Sequence, residues 1–196
     1  RDILRPDFRW MNRPYVEQAL TRVGTTMNRI LLASAALVLI AGSASAAPTS
    51  PGVFKSWSAY SNGDGDAKVC FVIAKPQSSL PAKAKRDAIA FLINDWPSRK
   101  AKGEPEVEAG YQYKDGSTVT VEVGSDKFTF FTKNDGGDGN AWLKSTDDEA
   151  RLVSDMRSGQ QLIVTGISKR GTMTHDTYSL GGISDAVDKI HSECGM

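Results

Sequence analysis

Beyond residue 52 the chain alternates in short pulses: a brief apolar or alternating run, then a cluster of Gly, Asn, Asp or Pro. "VFKSWSAYS" alternates large apolar with small or polar residues and reads as one strand. "NGDGDA" is a turn, and "KVCFVIA", β-branched and aromatic, is a buried strand. "KPQSSLPAKAKRD" reads as a loop, "AIAFLINDW" as a strand and "SRKAKGEPE" as a charged loop. "VEAGYQY", "STVTVEV" and "KFTFFTK" follow as strands. Val119, Val121 and Val123 point one way, and Phe128 and Phe130 share a face, the pattern of an antiparallel meander. After the loop "NDGGDGN" and the short strand "AWLK", the period changes.

In "STDDEARLVSDMRSG" the residues Ala150, Val153 and Met156 form a helical stripe that Leu152 widens. Thr146 with Glu149 reads as a capping box, and Gly159 as a left-handed terminator. "QQLIVTGIS" and "THDTYSL" return to strand around a turn at Lys169-Arg170-Gly171. "SDAVDKIHSECG" closes the chain as a helix capped by Ser184, with Ala186, Val187 and Ile190 on its apolar face and Gly195 at its end. The pattern predicts eight or nine short strands, one inserted helix and a C-terminal helix. That is an all-β fold, an antiparallel β-sandwich or partly open barrel, as a single domain over residues 53–196.

The first fifty residues obey another logic. From Met27, Asn28 and Arg29 form a basic start, and Ile30–Ala41 is an apolar block interrupted only by Ser34. Gly42-Ser43 then breaks the helix before Ala44-Ser45-Ala46. This is the order of a secretory signal peptide over 27–46, with cleavage between Ala46 and Ala47. A bilayer span needs about 20 apolar residues, and this block is shorter. The alternatives are a buried core helix or an uncleaved anchor behind a cytoplasmic tail. Residues 1–26 begin with Arg and are rich in Arg and polar side chains; they read as an upstream extension of a chain whose true start is Met27 or Met11. Residues 47–52 read as a flexible leader. The expectation is a periplasmic protein, or alternatively a secreted or outer-surface one, with no integral membrane span after cleavage.

Charge and cysteine content follow from that division. The chain has 24 basic and 23 acidic side chains, and removing residues 1–46 takes away six arginines and three acids. The remaining 150 residues are near neutral, without the clustered positive charge of a general nucleic-acid binder. Both cysteines, Cys70 and Cys194, lie in the remaining part. In an oxidising compartment they most simply form one disulfide, joining an early strand to the terminal helix. Closing so long a loop removes unfolded-state entropy on the order of 4–5 kcal/mol in the chain-entropy model. Two free or intermolecularly paired thiols are the alternative.

Phe54-x-x-Trp57, the Val69–Phe71 strand, Leu162–Gly166 and "DTYSLGGISDAVDKI" together resemble the invasion-associated locus B family of exported bacterial proteins. The most specific match is the corner Ser179-Leu180-x-Gly182, from strand into helix. The resemblance spans nearly the whole mature chain. It implies an exported β-sandwich protein in a family named for host-cell entry, with no defined biochemical activity. Further cysteines belong to that family's pattern, and Ser61 and Ala141 stand about where they would fall.

Candidate chemistry is thin. "SNGDGDA" imitates the start of a calcium loop, but Ala67 and Ile73 occupy the positions that need Gly and Glu, so it reads as a turn. Asp135, Asp138 and Asn140 are weak candidates for a hard cation. His175 and Asp176, adjacent on a strand, point to opposite faces and read as surface residues. Asp147, Asp148 and Glu149 suit the first turn of a helix. His175 and His191 have no cysteine pair beside them, so no zinc site is expected. The basic loops "PAKAKR" and "SRKAKG" are solvated loops or contacts for an anionic surface such as lipopolysaccharide. Trp57, Trp96 and Trp142 read as core, with Trp96-Pro97 a surface contact in the alternative. The expectation is a non-enzymatic envelope protein without cofactor, metal or catalytic residue, binding an envelope or host-surface protein. The competing reading is a periplasmic small-ligand binder or enzyme whose site is assembled from residues distant in sequence.

Overall fold

The computed structural model describes residues 49–135 and 137–196. The segments expected to be an upstream extension and a signal peptide, and the cleavage point expected between Ala46 and Ala47, lie outside the described residues. No helix among the described residues is long and apolar enough to cross a membrane.

Among the described residues, eleven strands and two α-helices make up the fold. In chain order they are β1 (Thr49–Phe54), β2 (Trp57–Asn62), β3 (Val69–Ala74), β4 (Ser78–Leu80), β5 (Ala90–Trp96), β6 (Ala101–Glu108), β7 (Thr118–Val123), β8 (Asp126–Asp135), β9 (Asp138–Trp142), α1 (Thr146–Ser158), β10 (Gln161–Ile167), β11 (Met173–Ser179) and α2 (Ile183–Cys194). All belong to one antiparallel sheet in the order β1-β2-β3-β5-β6-β9-β8-β7-β10-β11-β4.

The sheet curls over its own core. In a flat sheet with about 4.8 Å between strands, β5 and β11, six places apart, would be about 29 Å from each other. Yet the rings of Phe91 on β5 and Tyr178 on β11 meet at 5.9 Å. Trp57 Nε1 donates to the Ser179 carbonyl and Ser56 N to that of Gly181, fastening the start of β2 to the end of β11. The all-β antiparallel expectation with two helices holds. The strands form one open, curled sheet, nearer to a partly open barrel than to two separate sheets.

The cleanly alternating apolar positions form the inner face. Val119, Val121, Val123, Phe128 and Phe130 are all buried in the central cluster with Trp57, Phe91, Leu162 and Tyr178. Leu152 and Met156 of α1 and Ile183, Ala186, Val187 and Ile190 of α2 join it. Trp96 and Trp142 are also buried but lie outside that cluster.

Several boundaries differ from the sequence reading. "VFKSWSAYS" is two strands, because Lys55 takes a positive φ of 52° and reverses the chain, setting Phe54 against Trp57. The first of them begins at Thr49, inside the segment read as a flexible leader, because β2 offers it backbone partners. The loop after β3 contains β4, which pairs with β11. "SRKAKGEPE" is largely β6, since its backbone completes the ladder with β5 despite its charged side chains.

The caps shift too. Ser145, not Thr146, caps α1 by accepting from Asp148 N. Gly159 has an extended φ of −79° rather than a left-handed one. It is small because a Cβ there would lie 2.7 Å from Val123 Cγ1. Gly182, not Ser184, caps α2, at φ 92°, and any Cβ on it would strike the Phe54 carbonyl. This contact gives the Ser179-Leu180-x-Gly182 corner its physical reason: a left-handed residue pressed on backbone admits only glycine.

Candidate functional site

Two features concentrate the chemistry of the fold. The first ties α2 to the sheet. Cys70 on β3 and Cys194 in the last turn of α2 are bonded, with Cα atoms 5.9 Å apart and a sequence separation of 124. Beside that bond stands Asp95, paired in register with Cys70 across the β3–β5 ladder and fully buried. Its two oxygens are both used: Oδ1 accepts from Gly103 N at 2.7 Å and Oδ2 contacts His191 Nδ1 at 2.6 Å. A carboxylate inside an apolar strand is expensive unless each oxygen is satisfied, and here the partners come from β6 and α2. Its sequence signal was an acid within the otherwise apolar "AIAFLINDW".

The second feature lies where the loop after β4, the segment after β6 and the β10–β11 turn converge. Arg86 donates from Nη1 and Nη2 to the two oxygens of Asp176, both at 2.7 Å, with side chains only 5% and 3% exposed. It also donates from Nε and Nη2 to the Ala109 carbonyl at 2.9 and 2.7 Å, and its guanidinium lies 4.8 Å from the centre of the Tyr111 ring. Tyr111 Oη shares a hydrogen bond with Thr174 Oγ1 at 2.6 Å. Strand alternation puts the two on opposite faces as expected; Asp176 turns inward and His175 outward, where it meets Thr165 Oγ1 at 3.0 Å. The reading of both as surface residues therefore fails for Asp176, because Arg86, 90 residues earlier, gives it a buried partner.

Three tyrosines surround this ion pair. Burial pushes the Tyr111 phenol up, against the opposing effects of its Thr174 bond and of Arg86. Burial holds Tyr113 and Tyr178 well above the usual phenol range. Their hydroxyls have no hydrogen-bond partner among the described residues. All three phenols stay protonated at physiological pH, so the cluster supplies donors and shape rather than a nucleophile. Glu108, at the end of β6, is raised to about 7 by burial first and by the neighbouring Asp138 second.

Over the ion pair opens a cleft of about 530 Å³. Its walls are Lys85–Asp87 on one side and Ser168–Arg170 on the other, with Gly110–Gln112 as the floor. The walls are hung on the floor by backbone: Asp87 N bonds to Gly110 O at 2.9 Å and Lys169 N to Gln112 O at 2.7 Å. Gly110 has φ 67°, and a Cβ there would sit 2.5 Å from the Asp87 carbonyl, so this approach needs glycine. The "PAKAKR" loop thus meets the Lys169-Arg170 turn, a convergence no local pattern announces. The other basic loop, "SRKAKG", goes elsewhere: Arg99 packs 4.3 Å over the Trp96 ring and the rest enters β6.

The weaker candidates fall in turns. Asn62 ends β2 and Asp64 and Asp66 lie in the turn that leads to β3. Asp135 and Asp138 face each other at the β8–β9 hairpin, while Asn140 pairs with Glu108 and Lys133. Asp147, Asp148 and Glu149 occupy the first turn of α1, as expected. Among the described residues no group of three or more His, Cys, Asp or Glu side chains is placed to hold a metal ion.

Comparison with known proteins places the fold. No family model matches the chain. No curated protein matches it in sequence. Among solved structures, it is similar to the invasion-associated protein B from Bartonella henselae, with a TM-score of 0.53 and 14% identity over 76% of this chain and 99% of that one. The likeness is one of fold.

Proposed function

We propose that this chain is an exported, non-enzymatic bacterial envelope protein that acts through surface contacts with a protein or another envelope component. The observation that carries the reading is the Cys70–Cys194 bond, which joins the two ends of the domain. Disulfides of this structural kind persist in oxidising compartments and are rare in the cytosol. The fold likeness to a protein named for invasion supports the reading, and a role in host-cell entry is its furthest extension. The buried phenols and the fully paired Asp176 and Asp95 support binding rather than turnover. Both oxygens of each carboxylate accept a hydrogen bond within the fold.

Cell fractionation with mass spectrometry of the exported chain tests this. The expected result is an envelope or secreted fraction, a mature end at Ala47 and linked Cys70 and Cys194 peptides. A cytosolic protein with both thiols alkylated without reduction overturns it. Pull-down of the tagged protein from envelope extracts then identifies the partner. The cleft over Arg86 favours a second reading, a periplasmic small-ligand binder.

A further inference from the structure

We propose that the cleft between the Lys85–Asp87 loop and the Ser168–Arg170 turn is a binding site for a phosphate-bearing ligand. Arg86 at its base is neutralised by Asp176. The charge the cleft offers therefore comes from Lys85, Lys169 and Arg170, opposed only by Asp87 among its lining residues. None of those three cations makes an ion pair with a described residue. Three unpaired cations against one carboxylate leave an excess that a monovalent carboxylate does not balance and a phosphate dianion does.

The pocket is also built rather than accidental. Four of the five guanidinium N–H donors of Arg86 are already spent on Asp176 and Ala109, which fixes one wall. Backbone bonds fix both walls to the same floor. The cations thus project from a fixed backbone frame, so binding has only their side chains to order. At about 530 Å³ the space suits a small organic phosphate or a phosphorylated headgroup rather than a bare ion alone. This inference does not depend on which compartment holds the protein.

Inorganic pyrophosphate is the probe, titrated by calorimetry into the purified, disulfide-bonded protein at low ionic strength. The expected result is saturable one-to-one binding, weakened about tenfold or more in the Lys169→Ala/Arg170→Ala variant. Both side chains are exposed, so the variant keeps its fold. Lys127→Ala, on β8 opposite Glu122 and outside the cleft lining, leaves affinity unchanged, and sodium acetate at matched ionic strength gives no saturable heat. A second arm separates the ligand's sources. Sedimentation with phosphatidylglycerol vesicles but not phosphatidylcholine vesicles, reversed by pyrophosphate, assigns a lipid headgroup. Pyrophosphate binding without vesicle binding assigns a soluble phosphate. Absence of saturable pyrophosphate binding overturns the proposal, as does equal binding of acetate, or equal weakening by Lys127→Ala.

Discussion

Replacing Arg86 by Met leaves Asp176 buried, charged and without the two 2.7 Å bonds that satisfy it, and removes both donors from the Ala109 carbonyl. Breaking one side of a buried ion pair costs about 3–5 kcal/mol. Asp176→Leu strands the guanidinium in the same way and costs a similar amount. Against a typical stability of about 5–15 kcal/mol, each is a large fraction of the whole. The double variant Arg86→Met/Asp176→Leu is the informative one. It leaves no buried charge, only the Ala109 carbonyl short of its donors, worth about 1–3 kcal/mol. The double should therefore be more stable than either single, with a strong coupling between the sites. Urea unfolding of the oxidised protein, followed by tryptophan fluorescence, reads this directly. Each single should lower the midpoint by about 1 M or more at unchanged m-value, and the double by less. Singles that cost under about 1 kcal/mol, or a double as damaged as the two singles summed, would refute the reasoning that this pair is dry and tightly held.

Glu108→Gln should stabilise the protein at pH 8 by on the order of 1–2 kcal/mol and leave it nearly unchanged at pH 4. The folded carboxyl keeps its proton up to about pH 7, whereas the unfolded one releases it near 4.5. The folded state therefore binds more protons in that window, and wild-type stability falls as pH rises through it, a trend the variant should lose in denaturation curves. Cys70→Ala/Cys194→Ala should cost about 2–5 kcal/mol, seen as a lower melting temperature that reductant no longer affects. Gly182→Ala should cost about 1–3 kcal/mol or prevent folding, since its left-handed backbone faces the Phe54 carbonyl, whereas Gly171→Ala, in open space, should cost less by the same thermal assay.

The strands that alternate cleanly were legible because one face of each meets only the core. Val119 to Val123 and Phe128 to Phe130 therefore carry the period in their own residues. The terminal helix was legible for the same reason, and its cap was not, because Gly182 answers to Phe54, 128 residues away in sequence, rather than to its neighbours. β4 and the start of β6 were missed because their side chains look like loop, while their partners, β11 and β5, supply the backbone bonds.

The candidate site divides in the same way. His175 and Asp176 could be assigned to opposite faces from strand geometry alone, and two cysteines could be paired because there were only two. That Asp176 is the buried anchor of Arg86 needed the curl of the sheet to carry the loop after β4 onto β11. That Asp95 and His191 brace the disulfide needed α2 to lie across β3 and β5. Sequence by itself determined the class of fold, the apolar face of the regular strands and the one intramolecular pairing open to the cysteines, because those follow from period and count. Only the tertiary structure decided which charges are buried and which basic loops share a cleft. Long-range partners determine desolvation, and no local window of residues contains them.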